Sequence, residues 1–211
     1  MAFALACKSE TQSGAETQRS QSNGTHAGDS SIAGARGDKS TRAPGKVTVL
    51  FFGTSLTAGY GLEDPDKAFP GVVAAQSVKD GDPVEAVNAG LSGETSAGAV
   101  RRIDWALKRP VDVVVVETGG NDALRALDPD SLEANLRAIV ARVRLVQPKA
   151  EIVIAGMQAP PNLGARYTAR FSRAYSDVAR SKHLTLIPCL LAGVAGKAEL
   201  NQGDGVHPNE R

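Results

Sequence analysis

The chain has little of what builds metal centres, redox sites or base-stacking surfaces. Its two cysteines are Cys7 and Cys189, and its three histidines are His26, His183 and His207. None falls in the paired spacing of a zinc or thiol-redox motif, so no metal site is expected. Aromatic residues make up 4% of the 211 residues and the formal net charge is +1. That excludes the basic, aromatic face that nucleic acid requires and leaves no electrostatic case for an acidic partner. No apolar run approaches the roughly 20 residues of a membrane-spanning helix. What remains is 42% hydrophobic and 22% charged, the proportions of a globular domain with a core to bury.

That core begins late. From Lys8 to Lys46 the residues are mostly Ser, Gly, Thr, Gln, Asp and Arg, with Ile32 the single large aliphatic side chain. Such a segment buries too little apolar surface to offset its ordering entropy. Residues 1–45 are therefore expected to be a disordered tail, and residues 46–211 one domain. Strands are expected near 47–52, 84–88, 111–117, 151–156 and 184–187, and helices near 66–78, 95–108, 130–146 and 167–181. The third helix is the clearest. Leu132, Leu136, Ile139, Val140 and Val143 form a stripe at helical period, with Asp128 and Pro129 as a start signal and Pro148 as a stop. In the second, Val100, Ile103 and Leu107 share a face, and Trp105 lies off it, covering a domain edge. Near-continuous apolar strands between amphipathic helices imply an α/β fold with a parallel sheet covered on both sides.

Ligands bind such sheets outside the carboxyl ends of the strands. Ser55 stands there, after Val47-Thr48-Val49-Leu50-Phe51-Phe52-Gly53-Thr54, and is placed to act as a nucleophile. Serine needs a base, and the base an orienting carboxylate. His26 lies in the tail, and His183 precedes a strand and so faces the opposite edge. His207 remains, with Asp204 one tight turn upstream. Two further segments end at the same edge, Asn88-Ala89-Gly90-Leu91-Ser92-Gly93-Glu94-Thr95-Ser96 and Thr118-Gly119-Gly120-Asn121-Asp122. Acyl transfer requires donors aimed at a developing oxyanion, and the Gly93 N–H and the Asn121 amide suit that purpose. Read singly, these residues are equally a cap, an Asx-turn and a solvated loop.

Together the four segments resemble the four blocks of the SGNH hydrolases, the GDSL esterase/lipase family. The blocks are Gly53-Thr54-Ser55-Leu56, then Gly93, then Gly119-x-Asn121-Asp122, then Asp204-x-x-His207. The longer stretches Ser55-Leu56-Thr57-Ala58-Gly59-Tyr60-Gly61 and Ala89 to Ser96 are similar to the bacterial thioesterase, arylesterase and lysophospholipase branch. The resemblance implies a flavodoxin-like three-layer α/β/α sandwich and a serine esterase without a cofactor. Ser55, His207 and Asp204 would be its triad, and the N–H groups of Ser55 and Gly93 with the Asn121 side chain its oxyanion hole. Aryl or short-to-medium acyl esters, thioesters and lysophospholipids are the substrates it implies. The chain departs from the family in two places. Thr54 stands where the first block usually has Asp, and the family continues into a final helix where this chain stops at Arg211, so the domain reads as truncated at its carboxyl end.

Leu124, Pro160, Pro161 and Leu163 are expected to line an acyl site. Arg125 and Arg166 could meet a phosphate or CoA head group, or only solvate the surface. Two alternatives stay open: a catalytically impaired relative that only binds ligands, and a nucleotide-binding module using Gly53, Gly59 and Gly61, although these lack the usual phosphate-loop order. Met1-Ala2-Phe3-Ala4-Leu5-Ala6-Cys7 resembles the end of a bacterial lipoprotein signal. This points to an exported protein, periplasmic or anchored through a lipid at Cys7 of a longer precursor. A tail without such meaning, on a cytoplasmic protein, is the other reading. Cys189 is expected to be a small loop or core residue, not half of a disulfide.

Overall fold

The computed structural model describes residues 46–211, so the expectations for the tail and for Cys7 lie outside the described residues. Five strands, β1 (Val47–Gly53), β2 (Val84–Gly90), β3 (Val113–Glu117), β4 (Glu151–Ala155) and β5 (Thr185–Ile187), form one sheet in the order β2-β1-β3-β4-β5. All four pairings are parallel. Every strand therefore ends at the same edge. Because β1 and β3 are central, that edge begins with Gly53 and Glu117 side by side.

Alternation along the central strands divides the core into two layers. Leu50, Phe52, Val114 and Val116 point to one face and pack with α3 (Ser96–Ala106), α5 (Pro129–Val146) and α6 (Ala165–Lys182). Val49, Phe51 and Val115 point to the other, where Phe69 of α2 (Phe69–Lys79) meets Phe51 edge-on at 5.5 Å between ring centroids. This is a three-layer α/β/α sandwich. The stripe Leu132, Leu136, Ile139, Val140 and Val143 is fully buried. Burial of each such side chain contributes about 1.5–3 kcal/mol. The Asp128 side chain accepts the Asp130 N–H and caps α5 as the sequence suggests.

Three local features differ from expectation. The helix expected over 66–78 is two pieces, a 3₁₀ turn at Pro65–Lys67 and then α2. Pro70 has no N–H, and its ring clashes with a helical carbonyl four residues back, so one helix cannot run through. Trp105 is 63% exposed on α3 and covers no edge. Cys189 is disulfide-bonded, contrary to the reading above. No helix among the described residues is long and apolar enough to cross a membrane.

Candidate active site

Each strand hands the chain to a short turn or helix at the common edge. After β1 the chain enters α1 (Ser55–Ala58), one turn long, which closes at Gly59 in the left-handed conformation. Ser55 is its first residue, so its N–H is one of the helix-start donors without an intrahelical acceptor. After β2, Ser92 and Gly93 form a turn in which Gly93 has φ +78°, a conformation that costs other residues about 1–2 kcal/mol. After β3, Gly119 leads into α4 (Gly120–Leu124). Periodicity cannot reveal α1 and α4, which are too short to show any.

The structure brings Ser55, His207 and Asp204 into one chain of hydrogen bonds. Ser55 Oγ lies 2.8 Å from His207 Nε2, and His207 Nδ1 lies 2.6 Å from Asp204 Oδ2. The other carboxylate oxygen, Oδ1, accepts the backbone N–H groups of Val206 and His207 at 2.9 and 3.0 Å. Burial acts to raise the Asp204 carboxyl. The bonds from the His207 ring and from those two N–H groups outweigh it and lower the group to about 2. Near neutral pH Asp204 is thus an acceptor only. Nδ1 must carry the proton it shares with Asp204, and Nε2 is left to accept from the serine hydroxyl.

A cavity of about 470 Å³ opens beside this chain. Ser55, Gly93, Asn121, Asp204 and His207 are all in its wall, with Leu56, Ala123, Leu124, Met157, Pro160 and Leu191 as apolar lining. Leu124 and Pro160 are therefore where the sequence placed them. Leu163 is not, since it packs against the core under α6. Arg125 does not face the cavity but donates from Nη2 to the Gly93 carbonyl at 3.1 Å. Arg166 is exposed on the first turn of α6. His183 caps the carboxyl end of α6, at the opposite edge of the sheet.

Several residues hold the site in roles that the sequence does not assign. Asp122, buried, accepts both the N–H and the hydroxyl of Ser96, the first residue of α3. This ties the Asn121 turn to the Gly93 turn, and the carboxylate also suits a helix amino terminus. Arg102 grips Glu94 with two nitrogens, donates to Ala89 O and Gly53 O, and lies 4.3 Å from the centroid of the Phe52 ring. One Asn121 amide N–H goes to Glu94 O at 3.0 Å. The histidine loop closes on Gln202, whose N–H donates to His207 O and whose side chain spans from Tyr60 O at 2.7 Å to Pro208 O at 2.9 Å. The Tyr60 ring lies 4.8 Å from that of His207. Tyr60 and Gln202 are too far apart in sequence for a local pattern to pair them.

The sequence pattern of the GDSL-like lipase/acylhydrolase family matches residues 51–211. The chain belongs to that family. As a GDSL-like hydrolase it is 36% identical, over 170 residues, to Esterase TesA of Pseudomonas aeruginosa, covering 80% of this chain and 83% of that one. It is 35% identical over 169 residues to thioesterase 1/protease 1/lysophospholipase L1 of Escherichia coli, covering 80% and 78%. Among solved structures, AlinE4, an esterase of the SGNH-hydrolase family, superposes with a TM-score of 0.73 at 37% identity, covering 79% of this chain and 88% of that one.

Proposed function

We propose that this protein hydrolyses carboxylic esters through an acyl-enzyme formed on Ser55. The observation that carries the reading is the unbroken line from Ser55 Oγ through both nitrogens of His207 to Asp204, at 2.8 and 2.6 Å, in the wall of an apolar cavity. Ser55 attacks the acyl carbonyl while His207 Nε2 takes its proton. Asp204 fixes the imidazole tautomer and stabilises the imidazolium. The carbonyl oxygen, as it gains charge, meets the N–H groups of Ser55 and Gly93 and the second N–H of the Asn121 amide, the first being engaged by Glu94. His207 returns the proton to the leaving alcohol and then activates the water that releases the acid. No step calls for a metal or organic cofactor.

The apolar lining around Leu124, Met157 and Pro160 suits an acyl chain of short to medium length or an aryl group. Thioesters and lysophospholipids fall within the same chemistry. Export, with or without a lipid on Cys7, is the localisation that the first seven residues support.

The test is hydrolysis of a p-nitrophenyl ester series together with labelling by a fluorophosphonate. The wild type should turn over and take the label on Ser55. Ser55→Ala should keep its melting temperature, lose the label and lose kcat on the order of 10⁶-fold, as triad knockouts do. Substantial turnover by that variant would overturn the assignment.

A further inference from the structure

Glu117 is a charged residue with no exposed surface, directly beneath the nucleophile. Burying a carboxylate costs several kcal/mol unless donors surround it. Here they do, and all come from the turn that carries Ser55. Thr54 N–H donates to Oε2 at 2.7 Å, the Thr54 hydroxyl to Oε1 at 2.8 Å, and the Thr57 hydroxyl to Oε2 at 2.9 Å. The three donors bracket the nucleophile, one residue before it and two after. Gly53 makes the approach possible, because a Cβ there would fall 1.9 Å from the Thr57 hydroxyl and 2.6 Å from Glu117 Oε2.

The carboxylate is itself held from below. Glu117 ends β3, paired with Ala155 of β4. The next carbonyl, of Thr118, accepts the buried Tyr175 hydroxyl of α6 at 2.9 Å. From α3, Arg102 reaches the Gly53 carbonyl on the other side of the turn. The position of Ser55 is therefore referred to the centre of the sheet, not to the exposed Tyr60 that follows α1.

We infer that Glu117 is a positioning residue for catalysis, which sets the nucleophile turn by accepting three hydrogen bonds from Thr54 and Thr57. It touches no substrate and acts through Ser55. This rests on the serine mechanism proposed above. It also gives Thr54 a definite task, since its hydroxyl is one of the three donors and its side chain is buried. The turn is thus held without the Asp that the first block usually carries.

The experiment compares Glu117→Met and Glu117→Gln with the wild type in p-nitrophenyl ester kinetics, fluorophosphonate labelling rate and thermal melting. Methionine fills the space but accepts nothing useful, so the turn loses its reference. Displacing a reacting group by about 1 Å costs roughly 10²-fold. Glu117→Met should therefore lose kcat and labelling rate by about that factor, with KM within about threefold. In Glu117→Gln the amide oxygen can accept the Thr54 N–H and the Thr57 hydroxyl, while its NH₂ donates to the Thr54 hydroxyl. Activity should then stay within about tenfold of the wild type.

A folded Glu117→Met with wild-type kcat would overturn the inference. So would a Glu117→Gln as damaged as Glu117→Met, since charge rather than hydrogen bonding would then be what matters. If Glu117→Met does not fold, Thr54→Val carries the test, because it removes one donor and keeps the shape. It should lower kcat about tenfold at constant KM, and unchanged kcat would overturn the inference. A wild type that hydrolyses no ester would instead sink the serine mechanism itself. An active wild type with an insensitive Glu117→Met would sink the inference alone.

Discussion

Gly93→Ala separates two requirements that the Gly93 turn combines, a left-handed backbone and a donor in the cavity wall. A Cβ at Gly93 would meet nothing within 4 Å, so the substitution introduces no clash. Its cost is conformational, about 1–2 kcal/mol for holding a non-glycine residue at φ +78°. The turn either stays and absorbs that strain, or relaxes and withdraws its N–H. Three tethers oppose relaxation: the two-nitrogen grip of Arg102 on Glu94, the Asn121 amide on Glu94 O, and Arg125 on Gly93 O. At about 0.5–1.5 kcal/mol for a neutral bond and more for a charged one, and discounting the exposed Arg125, they total about 2–4 kcal/mol. The tethers therefore win. The expected result is a melting temperature lower by about 2–8 °C and a kcat reduced by less than about tenfold, measured with saturating p-nitrophenyl ester. Gly93→Asn should recover part of the lost stability, since asparagine tolerates this conformation. An unchanged melting temperature with kcat down by about 10²-fold, the loss typical of a missing oxyanion donor, would refute the reasoning.

Gln202→Ala removes the side-chain bonds to Tyr60 O and Pro208 O but keeps the backbone bond to His207 O. It should cost about 1–2 kcal/mol of stability in urea melts and slow fluorophosphonate labelling of Ser55 and ester turnover in parallel, whereas a fall in turnover alone would place Gln202 in a later step. Asp204 titrates near 2, below its ordinary value, so its contribution to stability is present above the usual carboxyl range and is lost as pH falls through about 2. With 40% of the carboxylate side chain exposed, solvent screening holds that contribution under about 1 kcal/mol. The stability difference between the wild type and Asp204→Asn should then be flat from about pH 8 to pH 5 and shrink in stronger acid; a difference that grew on acidification would contradict the assignment.

The sequence exposes the fold where a periodic pattern is long enough to read. The stripe from Leu132 to Val143 and the valine run of β3 needed no tertiary information, and five strands fell within about two residues of their observed limits. It also exposes the cluster at the sheet edge, because each member follows a strand and a parallel sheet sends all such positions to one side. What it conceals depends on contacts between distant segments. Leu163 looks like a cavity residue until it is seen to pack against the core instead. Arg125 looks free to meet an anion until the Gly93 carbonyl appears beside it. Glu117 reads as a polar residue closing a strand, and only the register of β1 with β3 brings it under Thr54. Pro70 is the exception, since it is visible in the sequence and splits the helix expected there.

The turns around the cavity are fastened by side chains from other segments of the chain. The Ser55 turn is bonded to Glu117, the Gly93 turn to Asp122 and Arg125, and the histidine loop to Tyr60 through Gln202. A segment grafted in from another hydrolase would arrive without its counterparts, so this floor can be exchanged only as a set. Among the described residues, the outer wall at Leu124, Gln158 and Pro160 carries no such cross-fastening. Directed evolution toward new acyl groups should find its gains there, and libraries spent on the floor should return mostly inactive clones.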